Sequence, residues 1–93
     1  MFKIPKVNVI ESDEGFSVEV LGRTGVRYSE GGRTLRVDSE VLAGPAGLVI
    51  YTASITQWNP PHESEAVDES KRQVIVDNIR RAFRFRGLEI EVS

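Results

Sequence analysis

Gly31-Gly32 stands between two runs of alternating character, Val26 to Glu30 and Arg33 to Asp38, and no other feature of the chain constrains its fold as tightly. Two glycines can take positive φ at both central positions of a type I′ turn, whose twist matches that of a β-hairpin. A two-residue loop also removes freedom of register: Glu30 must face Arg33, Tyr28 must face Leu35, Arg27 must face Arg36 and Val26 must face Val37. One face of the predicted hairpin carries Val26, Tyr28, Leu35 and Val37, closed at its end by a Glu30–Arg33 ion pair. The other face sets two guanidiniums side by side, an unfavourable pairing. If the Gly22 to Gly25 connection aligns Val20 with Val26, Glu19 falls beside Arg27, and a Glu19, Arg27, Arg36 ladder offsets the repulsion.

Short segments of the same kind flank this hairpin. Lys6 to Ile10 and Phe16 to Leu21 are rich in β-branched and aromatic residues, and Ser12-Asp13-Glu14-Gly15 between them reads as a turn. Phe16, Val18 and Val20 alternate with Ser17 and Glu19, which predicts one apolar and one wet face. Leu48 to Thr52 follows Gly44-Pro45-Ala46-Gly47 and is almost continuously apolar, as a central or doubly buried strand is. Ile55 to His62 contains Pro60 and Pro61, which suit neither a helix nor a central strand, so it is predicted as a loop.

From Asp68 the period changes. Val74, Ile75, Val76, Ile79, Ala82, Phe83 and Phe85 gather on about half of a helical wheel, with Gln73, Asp77, Arg80, Arg81 and Arg84 opposite. Asp68 is the expected N-cap, Glu69 sits in the first turn, and Gly87 supplies the stop after an arginine-rich last turn. Leu88, Ile90 and Val92 alternate with Glu89 and Glu91, so a last strand returns to the sheet. The expected fold is a single α+β domain over residues 1–93: a mostly antiparallel β-meander of five to six strands with one long amphipathic helix on one face, in the order βββββαβ.

Composition narrows the chemistry. A chain of 93 residues holds one sheet and one helix, with little left to enclose a deep catalytic cavity. Without cysteine there is no disulfide, no thiolate nucleophile and no Cys-based metal site. One histidine, His62, cannot build a Ser-His-Asp triad or a two-His metal site within the chain, and beside Pro61 and Glu63 it reads as a solvated loop residue. Gly22, Gly25, Gly31 and Gly32 punctuate strands and open no helix, which argues against a phosphate-cradling loop. No cofactor and no enzymatic role are expected. No apolar run approaches the length of a membrane span, and the first residues lack the apolar stretch of a signal peptide, so a cytoplasmic location is expected.

The formal net charge of −2 conceals an uneven distribution. Residues 71–86 hold six cations against Asp77 alone, a local +5, which leaves −7 for the rest. Arg80, Arg81 and Arg84 are the one nucleic-acid signal, and a nucleic-acid-associated module using them is the alternative functional reading. The same residues lie where the helix dipole favours cations, and the sheet offers no row of exposed aromatics to stack bases, so nucleic acid is the weaker reading. Glu63, Glu65, Asp68 and Glu69 surround the helix start without calcium-loop spacing, and their expected role is to favour that terminus. Trp58, in a Trp-Asn-Pro-Pro loop, is either a lid on the core or an anchor for a partner, and the lid is favoured. The edges of a small sheet also invite a homodimer.

Tyr28-Ser29-Glu30-Gly31-Gly32-Arg33, Ser39-Glu40, Ile50-Tyr51, Ser54-Ile55, Trp58 with Pro60 and Pro61, and a helix carrying Arg72, Ile75 and Ile79 before Gly87 form an ordered string. It resembles the immunity protein family numbered 74 of bacterial polymorphic toxin systems, from about residue 16 to 92. The resemblance implies an α+β protein, encoded beside a secreted toxin, that binds the cognate toxin inside the producing cell and blocks it. Tyr28, Glu30, Glu40, Tyr51 and Trp58 then stand as the candidate partner-binding positions, with the acidic Glu63 to Glu69 loop as a further contact for a basic toxin.

Overall fold

In the computed structural model, which describes residues 1–42 and 47–93, the glycine pair does what its chemistry allows. Gly31 and Gly32 take φ of +57° and +82°, and the strands on either side pair in the predicted register from Glu30↔Arg33 to Val26↔Val37. That hairpin is the centre of a seven-stranded sheet: β1 (Phe2–Lys6), β2 (Val9–Ser12), β3 (Phe16–Val20), β4 (Gly25–Glu30), β5 (Arg33–Val41), β6 (Leu48–Ile50) and β7 (Ile90–Val92). The strands lie side by side in chain order. Every neighbouring pair is antiparallel except β6 and β7, which are parallel because α1 (Glu69–Phe85) lies between them as the crossover.

Two features depart from the expected strand count. Lys6 to Ile10 is not one strand but the corner between two, with Lys6 opposite Val9 across a turn at Val7 and Asn8. β1 escaped the pattern because four of its five residues are exposed and it carries Lys3, Pro5 and Lys6, so it shows no alternation. Pro5 and the register shift between Lys3 and Lys6 are features that blunt an edge strand against further pairing. At the other end β5 runs three residues beyond the predicted Asp38, past its last β4 partner, and Ser39, Glu40 and Val41 of β5 pair with β6. The apolar run after it ends as a strand at Ile50, and Thr52–Ser54 form a 3₁₀ turn. Most of the glycine-proline segment predicted ahead of β6 lies outside the described residues.

Alternation places Ile10, Val18, Val26, Tyr28, Leu35, Val37 and Ile50 on one face of the sheet, all of them almost fully buried. α1 lies on that face and contributes Ile75, Val76, Ile79, Ala82 and Phe83 to a single core. Ile55, Trp58 and Val67, from the segment between β6 and α1, complete it. Val74 and Phe85, predicted on the apolar arc, are half exposed because they lie at its margins, although the Phe85 ring still meets Phe2 at 5.4 Å. The helix begins where its cap is: the Asp68 carboxylate accepts from the Lys71 amide at 2.8 Å. It ends in a Schellman arrangement, with Gly87 at φ +81° and the amides of Gly87 and Leu88 donating to the carbonyls of Arg84 and Phe83.

Candidate functional site

The five candidate positions fall into two groups on opposite faces of the sheet. Tyr28 and Glu30 point from β4 toward the helix because they share the parity of Val26. Trp58 reaches the same place from the loop and stacks on Tyr28, with ring centroids 6.4 Å apart. Tyr28 is fully buried and Trp58 is 4% exposed, the lid arrangement. The loop is held by Asn59, whose amide donates to the Thr34 carbonyl at 2.7 Å and whose side chain reaches the Thr34 hydroxyl at 3.1 Å. Phe16 extends the row, 5.9 Å from Tyr28, and Phe2 follows at 5.9 Å from Phe16.

Polar partners surround the Tyr28 hydroxyl. It donates to Glu30 Oε1 at 2.6 Å and accepts from Asn78 Nδ2 at 2.9 Å, while Lys71 forms an ion pair with the other Glu30 oxygen. Burial, and then the Glu30 carboxylate beside it, push the tyrosine far above its ordinary value, so this hydroxyl stays protonated. Burial opposes the Glu30 charge, but the Lys71 ammonium and the Tyr28 hydroxyl outweigh it and hold the carboxyl below its ordinary range. The predicted Glu30–Arg33 ion pair is therefore not made. Lys71 on the overlying helix takes Glu30, and Arg33 turns to Glu65 at 2.8 Å, although the two residues remain register partners.

Glu40 and Tyr51 belong to the opposite, open face. Ser39 faces inward at 2% exposure, so Glu40 faces out. Ile50 faces inward, so Tyr51 faces out, half-buried at the end of β6. Burial and then the Glu40 carboxylate raise the Tyr51 hydroxyl above its ordinary value. Farther along this face Arg27 pairs with Glu19 at 2.9 Å, as predicted from the Val20↔Val26 alignment. Arg36 does not complete the ladder; it turns to Asp38 at 2.5 Å and to the Thr24 carbonyl at 3.1 Å. Intrastrand Asp38 lies on the same side of β5, two residues away, which is why it captures the guanidinium.

The basic helix end is internally neutralised. Arg80 pairs with Asp77 at 3.6 Å, Arg81 with Glu14, and Arg84 with Glu89 at 3.1 Å. Arg81 also lies 5.7 Å from the Phe2 ring centre, so part of its role is to cover the aromatic row. In the acidic loop, Glu65 sits between Arg33 and His62, and the arginine first of all holds its carboxyl below the ordinary range. Among the described residues, depressions of about 280 and 230 Å³ lie at the β1–β2 edge and beside the helix C-terminus, and neither of these holds His62 or a candidate position. Among the described residues no group of three His, Asp or Glu is placed to hold a metal ion, and no helix is long and apolar enough to cross a membrane.

Lys71 and Asn78 join Tyr28 through a signal that the sequence does carry, a seven-residue spacing that places both on one edge of the helix's apolar arc. Glu91 and Val49 have no such local signal; only the parallel pairing of β6 with β7 brings them beside Glu40.

The model of the family described as Immunity protein 74 matches residues 17–93 of the chain. No curated protein and no solved structure matches it.

Proposed function

This chain belongs to the Immunity protein 74 family, and from that premise we propose that it binds a cognate protein toxin in the cytoplasm and neutralises it by stoichiometric occlusion, without catalysis. The observation that carries this reading is the family match over residues 17–93. The geometry supports it, because the polar groups around Tyr28 are spent on one another: Tyr28, Glu30, Lys71 and Asn78 form a connected set beneath the helix. A protein whose buried groups serve rigidity acts through its surface, and a rigid surface loses little entropy on binding.

The five candidate positions then divide the work. Tyr28, Glu30 and Trp58 hold the loop and the helix start in place, and Glu40 and Tyr51 present groups to the toxin. In the acidic loop Glu63 is the carboxylate left for contact, since Glu65 and Glu69 are paired to Arg33 and Arg72. The reading is tested by co-expressing this chain with the secreted toxin-like protein encoded next to it. Restored growth and a one-to-one complex on size-exclusion chromatography with light scattering are expected. Continued toxicity with no complex overturns it.

A further inference from the structure

The open face of the sheet is a field of charges, and almost all of them are matched. Lys3 pairs with Glu11, Arg27 with Glu19 and Arg36 with Asp38. The exception is its β5–β7 end. Glu40, Val49 and Glu91 stand in one row across three strands, Val49 being the register partner of both carboxylates. Among the described residues neither Glu40 nor Glu91 has a cation within 4 Å. Val49 is only 7% exposed yet lies outside the core cluster, as expected of a side chain on the face opposite the helix. Tyr51 follows two residues along the same face.

We propose that this end of the open face, Glu40, Val49, Tyr51 and Glu91, is where the toxin docks, and that the toxin presents an arginine side chain to it. The inference rests on the immunity reading above and names the chemistry of its partner. Adjacent strands are about 4.8 Å apart, so the two carboxylates flank the valine at a backbone spacing of about 10 Å. An arginine stem can lie over the valine while its planar guanidinium reaches a carboxylate bidentately and stacks on the tyrosine ring. A lysine offers a point charge with neither the fork nor the stacking plane.

Charge also decides between a foreign partner and a second copy of this chain. Seven of its nine arginines already hold a carboxylate of their own chain. Of the other two, Arg86 donates to the Val7 carbonyl at 2.7 Å. A self-complex would have to break existing contacts or rely on Arg23 or on Lys6, which lacks the guanidinium fork, whereas a basic toxin supplies a guanidinium without that loss.

The absence of cysteine makes the test clean. The probe is the purified toxin domain encoded beside this chain. Binding is measured by calorimetry to the wild-type protein and to Glu40→Lys, Glu91→Lys and, as a control on the exposed side of the helix, Asp77→Lys. The first two should each weaken binding by about tenfold or more, as reversing one partner of a close charge pair does, with Asp77→Lys within about twofold. Single-cysteine proteins, Glu40→Cys on the open face and Ser70→Cys on the helix, give an independent readout should a lysine variant misfold. Toxin should slow alkylation at position 40 and leave position 70 unchanged. Unchanged affinity for both charge reversals, or protection at 70 without protection at 40, overturns the docking face and leaves the immunity reading standing. A wild-type protein that binds no toxin overturns both.

Discussion

On the helix-covered face Tyr28 has no exposure, stacks between Phe16 and Trp58, and keeps its hydroxyl between Glu30 and Asn78. On the open face Tyr51, of the same residue type beside the same sheet, is half-buried, and burial and then the Glu40 carboxylate raise its hydroxyl above its ordinary value. The difference teaches where each face puts its free energy. The inner face combines apolar burial with the connected set around Tyr28, the Ser39 hydroxyl alone among the described residues lacking a partner, so its groups are locked. The outer face leaves charges in water, where an exposed ion pair contributes between nothing and about 1 kcal/mol, so its groups remain available to a partner.

The strongest challenge to that contrast is to truncate one aromatic on each side. Trp58→Ala removes a buried ring that covers Tyr28, and a loss of about 3–5 kcal/mol is expected. Tyr51→Ala should cost about 1 kcal/mol or less, in the range of substitutions away from the core. Urea unfolding followed by far-ultraviolet circular dichroism gives both values. Comparable losses at the two positions would mean that Tyr51 is part of the load carried by the fold.

A subtler cut keeps the rings and removes the hydroxyls. Tyr28→Phe leaves Asn78 Nδ2 without its acceptor and Glu30 without one donor, and about 1–3 kcal/mol should be lost. Tyr51→Phe on the open face should change stability by less than about 0.5 kcal/mol. Equal effects would show that the inner hydroxyl set contributes no more than its solvated counterpart.

How far this contrast was legible beforehand follows from what each residue's position depends on. Gly31-Gly32 specifies register locally, so the inward set Val26, Tyr28, Leu35 and Val37 followed directly, as did the Glu19–Arg27 pair once the next turn was aligned. Asp68 and Gly87 mark the helix ends through hydrogen bonds within four or five residues, and both were readable. Glu30 shows where such reasoning stops. Its register partner Arg33 was correct, but the cation that takes its carboxylate comes from Lys71, 41 residues away, and only the docking of the helix decides that competition. The Glu40, Val49, Glu91 row needed a parallel crossover as well, and β1 had no alternation to betray it.

Acid should separate the faces next. Glu30 titrates below its ordinary value of 4.5 in the folded protein, which means the folded state favours its charged form. Its contribution is therefore fully present above pH 4.5 and is lost as the pH falls through the lower folded value. Melting temperatures measured between pH 6 and pH 3 should drop steeply below pH 4.5 for the wild-type protein. They should drop less steeply for Glu30→Gln, which has nothing to protonate there. An identical slope for Glu30→Gln would place the acid-sensitive charge elsewhere, with Asp13 beside the terminal ammonium, Glu14 beside Arg81 and Glu65 beside Arg33 as other lowered carboxyls.

The smallest expected effect probes the pairs that fill the rest of the open face. Glu19 and Arg27 meet at 2.9 Å, yet the side chains are 33% and 47% exposed, so water already solvates much of both charges. A double-mutant cycle through Glu19→Ala, Arg27→Ala and the double variant should return a coupling of about 0.2–1 kcal/mol that shrinks in added salt. The cycle is informative because Arg27 also faces Arg36, the like-charged partner of its register. Removing Arg27 relieves that repulsion, so the single Arg27→Ala variant should lose even less than the coupling energy. A coupling well above 1 kcal/mol, insensitive to salt, would mean that this part of the open face is dehydrated, and it would then be built by the same rules as the face beneath the helix.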